Sequence, residues 1–197
     1  MSGFSMATQL VHAGERRIAP AGVAAATPIY ATSTFVYEQM QDVDRIVEGE
    51  ENGFVYSRYG NPTVAAFEAA MAEIENGRFA FAFGSGMAAL HGALLACELS
   101  TGAVVLASQD LYGASLELLK TVFGAFGVRT VTADFSDLEN LRAKALELKP
   151  RVILGETISN PLLKILDVET VAEIARTPSF SAPTSSRVLT KTVLRGR

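Results

Sequence analysis

The run Phe79 to Cys97, FAFAFGSGMAALHGALLAC, limits the fold more than any other part of the chain. Phe79, Phe81 and Phe83 alternate with alanine at the period of a strand, and the apolar residues after Gly86 recur at helical spacing. Gly84, Ser85 and Gly86 between them predict a tight turn from strand into helix. At such a junction the first N–H groups of the helix lack intrahelical partners and the helix dipole favours negative charge. Glycine there lets a ligand come close to the backbone, so the turn is a candidate phosphate site.

The same alternation continues downstream. Ala103 to Ser108 reads as a buried strand, Leu111 to Ser115 as a loop, Leu116 to Phe126 as a helix, and Val128 to Ala133 as a second strand. Ser136 with Glu139 suggests a capping box for a helix ending near Lys149-Pro150. Val152 to Leu154 is a further strand, and Val168 to Arg176 a last helix. Strands alternating with helices predict an α/β domain with a mostly parallel sheet and flanking helices. Ligands of such sheets bind beyond the carboxyl ends of the strands. Gly84 to Met87, Gln109 to Tyr112 and Glu156 to Asn160 all fall at predicted ends of that kind.

Ahead of the central run, Asn61 and Pro62 suit the N-cap and first turn of a helix that Gly77 closes, with Val64, Phe67, Met71 and Ile74 as its buried stripe. Just before the cap, Tyr56 and Arg58 share one side of an extended segment and offer a phenol beside a guanidinium, the side chain best shaped to grip phosphate or carboxylate. Residues 1–50 have little periodicity and read as an extended N-terminal arm that embraces a neighbouring subunit or as a merely mobile terminus.

Composition narrows the function further. In 197 residues the net charge is −4 and 49% are hydrophobic, which argues for a packed core and against a general nucleic-acid binder. The lone cysteine, Cys97, sits on an apolar helix face and is expected to be buried. A single thiol, no membrane-spanning apolar run and no signal-peptide core together point to the cytoplasm. His12 and His91 stand apart, with no second cysteine nearby, so no metal site is expected.

Taken together, the motifs are specific. Tyr56-Ser57-Arg58 with Asn61-Pro62-Thr63, Ser85-Gly86-Met87-Ala88-Ala89, Leu111-Tyr112-Gly113 and Glu156-Thr157-x-Ser159-Asn160-Pro161 resemble the trans-sulfuration (Cys/Met metabolism) family of pyridoxal-phosphate enzymes. The resemblance runs over roughly residues 8–176, beginning at Thr8-Gln9-Leu10-Val11-His12-Ala13-Gly14 and passing through Pro28-Ile29-Tyr30. It implies the large domain of the aspartate-aminotransferase-like fold (fold type I), here incomplete, and pyridoxal 5′-phosphate as cofactor. It implies γ-replacement or γ-elimination on an activated homoserine, cystathionine or methionine. It also implies that Ser85, Gly86 and Met87 hold the cofactor phosphate, with Tyr56 and Arg58 arriving from a neighbouring subunit of a homodimer or a tetramer built from dimers. Tyr112 would stack on the pyridine ring and help with proton transfer, Asn160 would bond the ring's 3-hydroxyl, and Glu156 would support the strand end.

Two family elements have no counterpart. No aspartate occurs after Asp167 to pair the ring nitrogen, and neither Lys164 nor Thr190-Lys191 fits the family's Schiff-base lysine motif. From Thr177 the chain loses its acids and its periodicity. The expected organisation is therefore an arm and inter-subunit loop over 1–60, a partial cofactor-binding domain over 61–176, and an aberrant basic tail over 177–197 from truncation or a shifted frame. Two other readings compete with it. Gly84-x-Gly86-x-x-Ala89 with Asp110 also fits a dinucleotide fingerprint, and the chain could be a non-catalytic partner of a full-length homologue.

Overall fold

The computed structural model describes Ser5, Thr8, residues 24–176 and the backbone of 187–191. His12, most of the motif around it and the rest of the tail lie outside the described residues. The chain divides into two compact units, Met1–Ala82 and Phe83–Arg197.

In the first unit, α1 (Met40–Val47) and α2 (Pro62–Ile74) follow a stretch of irregular backbone. Asn61 caps α2 as its identity predicts: its Oδ1 accepts the Thr63 amide at 2.9 Å, and Pro62 fills the first turn. The same side chain donates to the Tyr30 carbonyl at 2.9 Å and to Ser57 Oγ at 3.0 Å. Thr63 Oγ1 donates to the Pro28 carbonyl and accepts the Tyr30 amide. Asn61 and Thr63 thus bind the Pro28–Tyr30 segment and the Ser57 turn to one helix start. Thr34 and Tyr56 meet in an antiparallel bridge. The expected stripe on α2 is not buried: Val64, Phe67 and Ile74 are exposed. Periodicity identifies which face of a helix is apolar, but burial requires a neighbour to cover it.

The strand expected at Phe79, Phe81 and Phe83 does not form either. The segment is unpaired and all of these rings are exposed. A strand is completed by ladder hydrogen bonds to a partner, and alternation in sequence cannot supply one.

The second unit holds a four-stranded parallel sheet in the order β2-β1-β3-β4, made of β1 (Val104–Ser108), β2 (Arg129–Ala133), β3 (Val152–Glu156) and β4 (Arg187–Lys191). Its helices are α3 (Gly86–Ala96), α4 (Gly113–Glu117, continuing as a π-helical turn over Leu118–Phe123), α5 (Leu138–Leu148) and α6 (Val168–Arg176). Strands buried on both faces favour a continuous apolar run, which β1 and β3 have up to their last residues, Ser108 and Glu156, and every residue of each is buried. The period of 2 then sorts their side chains. Val105, Ala107, Val152 and Leu154 pack with Leu90, Leu94, Cys97, Leu119 and Phe123 on one face. Leu106 and Ile153 pack with Leu141, Ala145, Val171 and Ile174 on the other. Cys97 is buried, as its position on the apolar face predicts.

Other departures from the sequence reading have local causes. Helix α4 begins at Gly113 rather than Leu116, because Tyr112 is extended (φ −52°, ψ 132°) and its carbonyl already accepts the Ser115 amide at 2.8 Å. The capping box at Ser136 is replaced by Asp137, whose carboxylate accepts the Asn140 amide at 3.0 Å. Ser136 instead donates its amide to Asp134 Oδ1 at 2.8 Å. The tail, which has no strand period in sequence, contributes β4, paired in parallel with β3 from Val152↔Arg187 to Glu156↔Lys191.

In β2, Thr130 Oγ1 is buried with no hydrogen-bond partner among the described residues. A buried, unpaired hydroxyl costs about 1–3 kcal/mol. Thr130→Val keeps the branched shape and strand propensity, so it is expected to raise the stability of the chain by about 1 kcal/mol in urea unfolding, whereas Thr130→Ser is expected to lower it.

Candidate functional site

The site grows from the direction of α3. At its far end the Cys97 carbonyl accepts Arg151 Nε at 3.1 Å, and the amide of Arg151, just before β3, donates to the Val104 carbonyl. Cys97 therefore lies at the amino end of the sheet. An 11-residue helix and a five-residue strand are each ~16 Å long. Met87 packs against the cluster that holds Leu111, just after β1, so Gly86 lies towards the carboxyl end.

There, Ser85 caps the helix in an extended conformation (φ −159°, ψ 158°), and its Oγ accepts the Ala88 amide at 3.1 Å. The Ser85 carbonyl takes the Ala89 amide at 3.0 Å. That leaves the amides of Gly86 and Met87 without an acceptor among the described residues, at the positive end of a helix. Gly86 is exposed, and a Cβ built on it would meet nothing within 4 Å. The Ser85 hydroxyl accepts from Ala88 and so keeps its own proton to donate. This donor set suits a phosphate.

The loops after β1 and β3 meet at the same end. Tyr112 is 44% exposed at the head of α4, and its amide donates to Glu156 Oε1 at 3.2 Å. Glu156 is buried at the end of β3, in keeping with a supporting role. Asn160 is exposed beyond it, at the tip of a loop closed by bonds from the Ser159 amide to the Lys164 carbonyl and from the Lys164 amide to Ser159 Oγ. The Asn160-Pro161 peptide is cis. Lys164 Nζ crosses to Asp110 Oδ2 at 2.9 Å, and this hydrogen bond holds the ammonium pKa above its ordinary 10.5. The amide and hydroxyl of Ser136 hold the Asp134 carboxyl below the usual carboxylate range. Ser108, Asp110, Ser136, Glu156, Ser159 and Lys164 line a small cleft here.

Ser85, Gly86, Met87, Tyr112 and Asn160 thus all belong to the second unit. Tyr56 and Arg58 belong to the first, where the Arg58 guanidinium lies 5.5 Å from the Tyr56 ring centre and 5.1 Å from that of Tyr59. Among the described residues no cluster of His, Cys, Asp or Glu could hold a metal, and no helix is long and apolar enough to cross a membrane. The Asp110–Lys164 link escaped the sequence reading, since the partners are 54 residues apart in the chain and no motif pairs them. It counts against the dinucleotide reading, which needs Asp110 for a ribose. His91 packs edge-on against Phe123, with ring centres 5.5 Å apart, as a structural histidine would.

A parallel α/β sheet with an open, capped helix start at its carboxyl end has the architecture of a domain suited to an anionic cofactor. The sequence model of the family described as Cys/Met metabolism PLP-dependent enzyme matches residues 7–183. Cystathionine gamma-synthase of Mycobacterium bovis is 42% identical over 168 residues, covering 85% of this chain and 41% of that protein. L-methionine gamma-lyase of Fusobacterium nucleatum is 35% identical over 177 residues, 90% of this chain and 44% of the relative. Among solved structures, metB from Corynebacterium glutamicum superposes with a TM-score of 0.69 at 32% identity, covering 85% of this chain and 40% of that one. A putative O-acetylhomoserine (thiol)-lyase from Campylobacter jejuni, solved with an N′-pyridoxyl-lysine-5′-monophosphate, gives 0.64 at 32% identity over 75% of this chain and 36% of that one. The chain belongs to the Cys/Met metabolism family of pyridoxal-phosphate-dependent enzymes. It spans about two fifths of the length of these relatives.

Proposed function

We propose that this chain carries the cofactor-phosphate portion of an enzyme of sulfur amino-acid metabolism, acting by γ-replacement or γ-elimination on an activated homoserine, cystathionine or methionine. The names of the relatives support that substrate class. The observation that carries the reading is the pair of unclaimed amides, Gly86 and Met87, at the same end of the sheet as the exposed Tyr112. When bound, pyridoxal 5′-phosphate supplies an electron sink for carbanions formed next to an amino group. In this reading the Ser85 hydroxyl and the Gly86 and Met87 amides hold the phosphate. The Tyr112 ring covers one face of the pyridine, excludes water there and carries a phenol able to accept or release a proton. Asn160 donates its side-chain amide to the ring's 3-oxygen.

Tyr56 and Arg58 serve the site of a partner subunit in a homodimer or a tetramer of dimers, with residues 1–60 as the arm and 61–176 as the cofactor-binding part. The uncovered apolar residues Val64, Phe67, Ile74, Phe79 and Phe81 support an assembly in which more chain covers the first unit. A buried single thiol suits a cytoplasmic setting.

The test is ligand-dependent unfolding of the whole chain. A ligand that binds only the folded state at a hundredfold excess over its Kd stabilises it by about 2.7 kcal/mol. Pyridoxal 5′-phosphate is expected to raise the melting temperature by several degrees, and nicotinamide adenine dinucleotide to leave it unchanged. The reverse pattern would overturn the reading.

A further inference from the structure

The loop after β1 is joined to the last residue of β3 and to the loop that follows it. Glu156 Oε1 accepts the Tyr112 amide at 3.2 Å, and Lys164 Nζ reaches Asp110 Oδ2 at 2.9 Å. Both ends of the second link are themselves anchored. The Asp110 amide donates to Ser108 Oγ at 3.2 Å. Lys164 is fixed through its amide to Ser159 Oγ at 3.0 Å and through its carbonyl from the Ser159 amide at 2.9 Å, while the Leu163 amide closes onto the Ser159 carbonyl at 3.0 Å. Asn160 thus rides on a loop whose base is held rigid, and Tyr112 on a loop whose two preceding contacts lead to that same base.

An ion pair with one partner 39% exposed adds little to stability, so its contribution lies in geometry. Lys164 is also poorly suited to covalent work: a nucleophilic lysine has its pKa lowered, and the Asp110 carboxylate here favours the charged ammonium.

We propose that Lys164 is a positioning residue which, through Asp110 and together with the Glu156–Tyr112 contact, sets the separation between Tyr112 and Asn160. The inference rests on the functional reading above for the identity of the group between them, a pyridine ring. It does not rest on that reading for the brace itself.

The experiment uses the full chain and has two arms. In the first, amide hydrogen exchange is followed residue by residue without ligand. Lys164→Met, which keeps length and loses charge, is expected to speed exchange about tenfold at Tyr112, in the other loop, and Asp110→Asn to do the same at Ser159 and Leu163. Lys164→Arg keeps the charge and is expected to retain most of the protection. If each change loosens only its own loop, the brace is refuted.

In the second arm, titration of Lys164→Met with pyridoxal 5′-phosphate is expected to show about tenfold weaker binding than wild type, with inorganic phosphate bound equally well by both. A purely structural role would weaken the two ligands alike, and that result, or no loss for either, would overturn the proposal. Should the unaltered chain bind no pyridoxal phosphate at all, the functional reading fails, and the exchange arm still decides the brace.

Discussion

Gly86→Pro is expected to weaken the binding of pyridoxal 5′-phosphate roughly ten- to hundredfold while leaving the ligand-free melting temperature within about a degree of wild type. The substitution removes a hydrogen-bond donor and little else. Proline is accepted at the first position of a helix, where Gly86 stands, because the missing N–H has no intrahelical partner there. The residue before a proline must be extended, and Ser85 already is, at φ −159° and ψ 158°. A Cβ on Gly86 meets nothing within 4 Å, so the carbon that the ring adds there meets no neighbour. What is lost is one charge-assisted hydrogen bond to the phosphate, worth about 1.5–3 kcal/mol. Gly86→Ala keeps the amide and serves as the control, so the quantity to measure is the ratio of the two dissociation constants. Equal binding by the proline and alanine variants would show that the helix start does not hold the phosphate.

Phe123→Ala is expected to cost about 3–5 kcal/mol, a loss comparable with the whole stability of many domains. Phe123 is 1% exposed and sits in the cluster with Leu94, Val105, Leu119 and Val128, meeting His91 and Phe126 edge-on. It ends the π-helical turn Leu118–Phe123, and its carbonyl accepts the Phe126 and Val128 amides that lead into β2. Surrounding strands on one side and backbone turns on the other leave little freedom to collapse into the vacated space, which places the cost towards the upper part of the range. Urea unfolding of the variant checks it, and a shift below about 1 kcal/mol would mean that the cluster repacks freely. Phe126→Ala, on a half-exposed ring at 58%, is the comparison and is expected to lose far less.

These residues also show where sequence reasoning reached and where it stopped. Asn61-Pro62 announced a helix start because capping is decided by the cap residue and its nearest amides. Ser85 and Gly86 were legible for the same reason, and the apolar runs Val104–Ala107 in β1 and Val152–Leu154 in β3 were legible because burial on both faces favours continuous apolar sequence. Phe79, Phe81 and Phe83 misled for the opposite reason: alternation marks a segment suited to a sheet, yet pairing depends on a partner elsewhere. The stripe of α2 failed likewise, and Ser136 lost its capping role to Asp137 once Asp134 took its amide.

By itself, then, the amino-acid order determined the local chemistry of this protein: which residues cap, which runs are continuously apolar, and which turn leaves amides open, since each depends on residues within a few positions of one another. Only the tertiary structure decided that Glu156 would receive the Tyr112 amide and that Lys164 would reach Asp110 across 2.9 Å. Those contacts join positions far apart in the chain, and they exist because parallel pairing of β1 with β3 brings the ends of both strands, and the loops that leave them, to the same side of the sheet.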